Sequence, residues 1–256
     1  MMMSKIVRFA AAVAVVSSLC AGWTLAHAEG ITSDQAQQIL DELRAIRKNL
    51  EARPVQAAPA PAQPAAPVDD KVSMALPSGG FSVGKDDAPL VLVEYTDYQC
   101  PFCQQFHNTS YAQIKTNYID TGKVKFVSRD FPLGFHENAM RGAIAARCAA
   151  EQGKYWELRH TMIVNASQLQ PDKIEGYAAN VSMDVNKFKT CVAADKFKAS
   201  IDKDIAEGTA AGINGTPSFV LGRVKDGKLQ GVRMVGAMPY AQFDAKIKEM
   251  LALPNG

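Results

Sequence analysis

Two cysteines separated by two residues, Cys100 and Cys103, are the residues of this chain whose type and spacing most directly suggest chemistry. Pro101 follows the first of them, and proline is favoured at the first position of a helix because its missing N–H would have no partner there. A cysteine at a helix start faces unpaired backbone N–H groups and the positive end of the helix dipole, which stabilise a thiolate. Cys103 is expected about one turn later, where it can attack a mixed disulfide formed on Cys100. The spacing therefore predicts a nucleophile and its resolving partner.

The same spacing has two other interpretations, half of a zinc site or a plain structural disulfide. Zinc takes four ligands, and the cysteines further along the chain, Cys148 and Cys191, form no second pair of this spacing. His107, His136 and His160 are scattered, as is typical of histidines in ordinary polar positions. We therefore expect no metal site and no cofactor.

The elements that would position the two cysteines follow an α/β pattern from Phe81 onward. Residues 90–95 (LVLVEY), which are apolar except for Glu94, predict a buried strand. The helix that begins at Pro101 should extend to about Tyr118, before a strand at 124–128. This βαβ order implies parallel strands and a right-handed crossover. The remaining predicted elements are a helical region at about 137–212, a hairpin with strands at 218–221 and 232–235, and a final helix at 240–251.

The first 28 residues have the pattern of a secretory signal peptide. Lys5 and Arg8 precede an apolar run at residues 9–19, which is too short to span a bilayer comfortably. Small residues before position 29 predict cleavage after Ala28, and a retained anchor or a lipoprotein modified at Cys20 is less favoured. The predicted location is therefore the periplasm, an oxidising compartment in which disulfides form.

Loss of the signal peptide would also change the charge of the chain. The 28 basic residues fall to 26 because Lys5 and Arg8 are removed, and they then equal the 26 acidic residues. A neutral mature protein gives no support for a nucleic-acid partner, which would require a basic face.

Residues 31–52 predict a separate amphipathic helix. Thr32 and Gln35 suit a capping box at its start, and Glu42 and Arg47 suit an ion pair between parallel chains. The apolar positions, spaced alternately by three and four residues, are Ala36, Ile39, Leu43, Ile46 and Leu50. Because a helix of this length is marginal alone in water, it should pack on further copies of itself or on its own domain. We favour a homo-oligomer, with a proline- and alanine-rich flexible linker at residues 53–76.

Three segments of the chain resemble the DsbA-like family of thiol–disulfide oxidoreductases, which have a thioredoxin fold. They are residues 94–103 (EYTDYQCPFC), 131–136 (FPLGFH) and 215–219 (GTPSF), and the resemblance covers roughly residues 77–252. It implies an α/β thioredoxin fold with a helical insertion, in agreement with the order of elements above. The expected organisation is a signal peptide at 1–28, an oligomerisation helix at 29–52, a flexible linker at 53–76 and a DsbA-like domain at 77–252.

The resemblance also implies roles for individual residues. Thr216 and Pro217 match the cis-proline loop of the family, which lies against the two cysteines and pairs with the extended backbone of a substrate. Glu94 matches the buried acid beneath the active site. In a low-dielectric core its pKa would be raised, and it could exchange a proton with Cys103. A glutamate at the end of a strand could instead reach solvent.

Phe102 departs from the best-known family member, which has histidine between the proline and the second cysteine. Phenylalanine carries no donor or positive charge for the Cys100 thiolate, so we expect a less oxidising potential than that of DsbA. Outside this site, Cys148 and Cys191 are expected to form a structural disulfide within the helical insertion, with two buried free thiols as the alternative.

Together these features predict an exported enzyme, a protein thiol–disulfide oxidoreductase. Its expected partners are exported client proteins with thiols or disulfides and a membrane redox partner that resets the Cys100–Cys103 pair. The sequence leaves the direction open between disulfide oxidase and isomerase. The alternatives from another class are a redox-independent holdase chaperone and a Cu(I)-binding thiol protein.

Overall fold

The computed structural model describes residues 32–52, 70–75 and 81–253, which fall into two units, an N-terminal helix and an α/β domain. The predicted signal peptide, residues 1–28, and most of the predicted linker lie outside the described residues. Within the part of the chain that is described, none of the helices is both long and apolar enough to cross a membrane.

The N-terminal unit is the helix α1 (Ser33–Ala52). Its predicted capping box is confirmed, because the Thr32 N–H donates to Gln35 Oε1 at 3.0 Å and the Gln35 N–H donates to Thr32 Oγ1 at 3.3 Å. Four large apolar side chains are between 46% and 56% exposed, namely Ile39, Leu40, Leu43 and Ile46. The helix itself is thus as predicted, and its self-association stays a prediction.

The domain is built on a six-stranded mixed sheet with the order β1-β6-β5-β3-β4-β2. The strands are β1 (Asp70–Ala75), β2 (Phe81–Val83), β3 (Leu90–Thr96), β4 (Val124–Asp130), β5 (Ser218–Lys225) and β6 (Lys228–Val235). Every residue of β3 is buried, and β3 runs parallel to β4 and antiparallel to β5. The predicted βαβ unit and hairpin are therefore confirmed, and β3 lies between β5 and β4, inside the sheet.

The predicted linker was wrong at its C-terminal end, because residues 70–75 form the edge strand β1. They pair antiparallel with β6, from Asp70 opposite Arg233 to Ala75 opposite Lys228. Met74 is buried and packs with apolar residues of the neighbouring strands. The segment is only six residues long, so the alternation of Val72 and Met74 with polar residues is a weak signal on its own, whereas β6 supplies its backbone hydrogen-bond partners. The α/β domain therefore begins by Asp70 rather than at residue 77.

One long helical stretch follows β3 and carries the two cysteines. It begins with α2 (Pro101–Phe106) and continues through a π-helical turn (His107–Tyr111), a short α3 (Ala112–Ile114) and a second π-helical turn (Lys115–Ile119). Its start at Pro101 and its end near Tyr118 are close to the prediction. Single π-helical turns inside helices are frequently found at functional sites, because they change which side chains face inward.

The helical insertion lies between β4 and β5. Its helices are α4 (Ala139–Ala150), α5 (Tyr155–Val164), α6 (Pro171–Asn180), α7 (Val185–Ala193) and α8 (Lys198–Ala210), and the last helix of the domain is α9 (Tyr240–Ala252). A disulfide between Cys148 and Cys191 joins α4 to α7. Closing a loop of this length contributes about 3–4 kcal/mol on the chain-entropy account.

A buried cluster of charges fixes the insertion to the sheet. The Arg147 guanidinium in α4 donates to Asp130 Oδ2 and to Asp204 Oδ2, both at 2.6 Å, and Arg129 Nη2 lies 2.7 Å from Asp204 Oδ1. Asp130 and Arg129 belong to β4, whereas Asp204 belongs to α8. Burial raises the pKa of Asp204 to about 6, although the two guanidinium groups oppose that rise. The helices and the sheet are thus joined by ion pairs as well as by apolar packing.

Candidate active site

The structure places Cys100 and Cys103 at the start of α2, directly after the loop that leaves β3. Cys100 is the N-cap residue, with extended backbone angles of φ −73° and ψ 122°, and Pro101 begins the helix. Both cysteines are free thiols; Cys100 is 3% exposed and Cys103 is fully buried. The cysteine nearer the surface is therefore the one at the helix N-terminus.

A second loop lies against Cys100. The Thr216–Pro217 peptide bond is cis, and the Cys100 thiol donates to the Thr216 carbonyl oxygen at 3.3 Å. The structure thus brings together, from distant parts of the sequence, the four residues Cys100, Cys103, Thr216 and Pro217.

Asp97, which the sequence reasoning missed, holds the loop before Cys100 in place. Its buried carboxylate accepts from the Gln99 N–H at 2.7 Å and from the Leu133 N–H at 2.9 Å, and it lies 2.7 Å from His136 Nδ1. Its backbone carbonyl accepts from the Cys100 N–H at 3.1 Å. An aspartate in a turn often accepts a hydrogen bond from the backbone N–H two residues on, and this pattern between β3 and the cysteines could have pointed to Asp97.

The two thiols differ strongly in acidity. The hydrogen bond from Cys103 is the largest influence that lowers the pKa of Cys100 to about 6; burial opposes it, and the Thr216 hydroxyl and the backbone N–H groups of Cys103 and Phe102 add to it. Burial is the largest influence that raises the pKa of Cys103 well above its ordinary value, and the neighbouring Cys100 and Glu94 reinforce it. At neutral pH the site therefore holds one thiolate and one thiol.

The Thr216 hydroxyl is a buried polar group whose oxygen has no hydrogen-bond partner in the structure. The Thr216 backbone carbonyl already contacts Cys100, and the hydroxyl can donate to that sulfur once it is ionised, which lowers the pKa of Cys100. Replacing Thr216 with valine, which keeps the branched shape, is expected to raise the pKa of Cys100 by about one unit, since hydrogen bonds to charged groups contribute about 1.5–3 kcal/mol. Titrating the thiolate absorbance of the reduced protein checks this. A Thr216→Ser variant keeps the hydroxyl and should titrate like the unmodified protein, and an unchanged midpoint in Thr216→Val would contradict the role.

Glu94 is fully buried on β3, so the alternative of a solvent-exposed glutamate is excluded. Arg159 Nη2 donates to its Oε2, and His107 Nε2 lies 3.2 Å from its Oε1. Burial alone would raise the pKa of Glu94, but His107 and the Arg159 guanidinium outweigh it, and the pKa of that carboxyl is lowered. The predicted direction was therefore wrong, because a burial argument takes no account of a positive charge supplied by α5.

His107 was also assigned to an ordinary polar position, and the structure places it in this buried cluster. The buried residues of the helical stretch recur at helical spacing, namely Cys103, Phe106, His107, Ser110 and Ile114. That spacing, counted from Cys103, would have put His107 on the inward face.

Two large aromatic side chains are exposed near the active-site segments. Phe102, between the two cysteines, is 59% exposed, and Phe135, next to His136, is 79% exposed. Phe102 thus influences Cys100 through its backbone N–H, whereas its ring faces solvent.

Among the described residues, no group of three or more histidine, cysteine, aspartate or glutamate side chains is arranged to hold a metal ion.

Comparison with known proteins places the chain in a family. A family model described as thioredoxin matches residues 78–237. Two solved structures share the fold. The first, α-DsbA1 of Wolbachia pipientis, has a TM-score of 0.61 and 24% identity over 69% of this chain and 92% of that one. The second, oxidised BdbD of Bacillus subtilis, has a TM-score of 0.60 and 22% identity over 71% of this chain and 98% of that one. The chain therefore belongs to the thioredoxin family, and its domain has the fold of the DsbA-like thiol–disulfide oxidoreductases.

Curated relatives share only part of their length with this chain. The Na(+)/H(+) antiporter NhaA 3 of Salinispora tropica is 29% identical over 167 residues, which are 64% of this chain and 25% of the antiporter. The NhaA antiporter of Herminiimonas arsenicoxydans is 30% identical over 137 residues, 53% of this chain and 21% of that protein. The chain thus spans about a quarter of the length of these relatives.

Proposed function

We propose that this protein exchanges disulfides with exported client proteins through Cys100 and Cys103. The observation that carries the proposal is the position of Cys100 at the N-terminus of α2, against the cis Thr216–Pro217 loop, with Cys103 buried within the first turn. This environment lowers the pKa of Cys100 to about 6 and raises that of Cys103. A thiolate is the attacking species in disulfide exchange, and a thiol with a low pKa is also a good leaving group.

The roles follow from the geometry of the site. In the reduced protein, the Cys100 thiolate attacks a client disulfide, and Cys103 then attacks Cys100 and releases the client as a thiol. The oxidised protein runs the same steps in reverse and donates its disulfide to a client dithiol. The loop of Thr216 and Pro217, which contacts Cys100, would pair with the client backbone. Pro101 fixes the helix start, and the exposed ring of Phe102 offers apolar contact beside the reacting sulfur.

The proposed setting is the periplasm, after removal of residues 1–28 by cleavage following Ala28. Such an enzyme needs a partner that restores its working redox state after each turnover, and we propose a membrane redox protein in that role. The pattern of the N-terminal sequence and the disulfide between Cys148 and Cys191 support an oxidising compartment.

We further propose that α1 assembles several copies of the chain and that the protein acts as an isomerase. The large apolar side chains of α1 are about half exposed, and their heptad spacing suits a parallel assembly. Several active sites around one misfolded client would favour repeated exchange over a single donation. The competing hypothesis is an oxidase that donates the Cys100–Cys103 disulfide once per turnover.

Ribonuclease refolding tests the function and its direction. An isomerase restores activity to scrambled ribonuclease without added oxidant, whereas an oxidase acts only on reduced ribonuclease. Cys100→Ser is expected to remove both activities, because serine supplies no thiolate. If Cys100→Ser refolds ribonuclease as well as the unmodified protein does, the proposal is wrong. If that variant merely suppresses aggregation, a holdase chaperone is the better description.

Deleting residues 29–68 is expected to reduce the particle to a single chain, because the deletion removes α1 and leaves β1 in the sheet. Light scattering coupled to size exclusion measures the mass per particle. Replacing Leu43 and Ile46 with glutamate should have the same effect through charge repulsion in the seam, whereas replacing Gln37 and Arg44 with glutamate should not. An unchanged mass after the deletion would exclude assembly through α1.

A further inference from the structure

The structure contains a buried charged cluster, one member of which acts electrostatically on Cys103, and the proposed exchange does not use its chemistry. Its members are Glu94 on β3, His107 in the first π-helical turn and Arg159 on α5, and their side chains are at most 2% exposed. Arg159 is further held by its Nε, which donates to Ser128 Oγ at 3.0 Å. Buried charges are costly unless they are paired, so a cluster of this kind calls for an explanation.

His107 Nε2 faces both a hydrogen-bond donor and hydrogen-bond acceptors. It lies 3.1 Å from Arg159 Nη2, and it lies 3.2 and 3.3 Å from the two carboxylate oxygens of Glu94. A guanidinium can only donate and a carboxylate can only accept. Nε2 can therefore accept from Arg159 when it carries no proton, and it can donate to Glu94 when it does. The site accommodates both protonation states of the same nitrogen.

The contacts of the cluster give His107 a neighbouring carboxylate that stabilises the protonated imidazole. Arg159 is paired with the Glu94 carboxylate, and the pKa of that carboxyl is lowered by His107, in its protonated form, and by Arg159. Burial is the largest influence that lowers the pKa of His107, so the imidazole is neutral at neutral pH and has room for a proton. The other groups that face it are the Tyr111 and Phe106 rings on its own helical stretch and the more distant His160 on α5.

Cys103 has a proton that it must lose. The negative charge of Glu94 acts on Cys103, and its effect is to raise the pKa of that thiol. Cys103 and His107 are four residues apart in one helical stretch and both are buried, so they share its inward face. The Glu94 carboxylate is in electrostatic contact with the thiol and in hydrogen-bond contact with the imidazole.

We propose that His107 takes up the proton that Cys103 releases when it attacks the mixed disulfide, acting through the Glu94 carboxylate. The proposal rests on the exchange reaction proposed above. The Cys103 sulfur forms a bond to the Cys100 sulfur, and the bond between Cys100 and the client sulfur breaks with its electron pair on the client. The Cys103 proton passes to Glu94, and the pair then holds it on His107 Nε2 as an imidazolium. In the reverse direction, Cys103 leaves Cys100 and recovers this proton. His107 is thus a positioning residue for the resolving step.

Rapid acid-quench with a disulfide-containing peptide separates the two steps. Mass spectrometry follows the mixed disulfide as it forms on Cys100 and as Cys103 resolves it, in the unmodified protein, His107→Phe and His107→Gln. Phenylalanine keeps an aromatic ring without nitrogens, whereas glutamine keeps a hydrogen-bond donor but cannot take up a proton. We expect formation of the mixed disulfide to be unchanged and resolution at pH 7 to be about 100-fold slower in both variants. We also expect the resolution rate of both variants to rise steadily with pH, whereas that of the unmodified protein levels off above the titration midpoint of His107.

The possible results separate a failure of the role of His107 from a failure of the proposed disulfide exchange. If His107→Gln resolves the mixed disulfide at the unmodified rate and with the same pH profile, His107 is only a structural hydrogen-bond donor and the inference is overturned. If the unmodified protein forms no mixed disulfide, the proposed function fails and the inference fails with it. If neither variant folds, the unmodified protein is used for the test. The pH at which it resolves the mixed disulfide at half its maximal rate must coincide with the titration midpoint of His107 measured by nitrogen NMR. A difference of about one pH unit or more would overturn the inference.

Discussion

Replacing Cys103 with alanine is expected to raise the pKa of Cys100 by about one to two units, because the hydrogen bond from Cys103 is the largest influence that lowers it to about 6. At pH 7 the thiolate fraction of Cys100 should then fall from roughly nine-tenths to between about one half and one tenth, and alkylation by iodoacetamide should slow in proportion. The reactivity of the unmodified protein is lost as the pH falls through about 6, whereas that of Cys103→Ala is lost at a higher pH. A pH series of alkylation rates measures both midpoints.

Cys103→Ser is the matched control, because its hydroxyl still donates to the Cys100 sulfur. Its midpoint should lie close to that of the unmodified protein, although neither variant can resolve a mixed disulfide and both should accumulate it. Equal midpoints for the alanine and serine variants would exclude the hydrogen bond from residue 103 as the cause of the lowered Cys100 pKa. A lowered folded-state pKa also implies that the free energy of unfolding of the reduced protein rises with pH between about 6 and the ordinary cysteine value.

Replacing Arg159 with methionine is expected to cost about 3–5 kcal/mol in the free energy of unfolding at pH 7, because it leaves the Glu94 carboxylate buried without its partner. The loss should depend on pH. With Arg159 present, the pKa of Glu94 is lowered. The ionised Glu94 carboxylate therefore contributes to the free energy of unfolding above the ordinary glutamate pKa, and this contribution is lost as the pH falls through the lowered pKa. Without Arg159, only His107 and its hydrogen bond remain as the main influences against burial, so the pKa of Glu94 is higher than in the unmodified protein and the loss should be smaller at about pH 4 than at pH 7. Urea unfolding at both pH values measures the difference.

Two controls accompany Arg159→Met. Lys198→Met removes an exposed ion pair with Asp202, 2.7 Å long, and should cost less than about 1 kcal/mol. Adding Glu94→Gln to Arg159→Met should recover more than half of the loss, since the remaining amide needs no counter-charge. A double variant as unstable as the sum of the two single variants would show that Arg159 stabilises the fold by packing on Trp156 and Phe126 instead.

The central part of the fold could be predicted because its signals are local. A strand buried on both faces is typically a run of apolar residues, and residues 90–93 form such a run before Glu94. Pro101 marks a helix start, and the two cysteines mark the site without reference to the rest of the chain. The capping box of Thr32 and Gln35 is equally local, and it was predicted correctly.

The parts that could not be predicted depend on partners distant in the sequence. Arg159 lies 65 residues from Glu94, and nothing in either neighbourhood indicates that they meet. The direction of the Glu94 pKa shift was missed for that reason, since burial and ion pairing have opposite signs and only the structure shows that both are present. His107 is an intermediate case, because its place on the inward face follows from helical spacing, whereas its partners do not.

The position of β1 determines where this domain can be cut. A fragment that starts at residue 77 would lack β1, and the backbone N–H and C=O groups of the eight-residue strand β6 that now bond to it would be left open to solvent. Such an unprotected strand invites a second chain to add to it, which is a common route to aggregation. An isolated domain that remains soluble should therefore begin before Asp70.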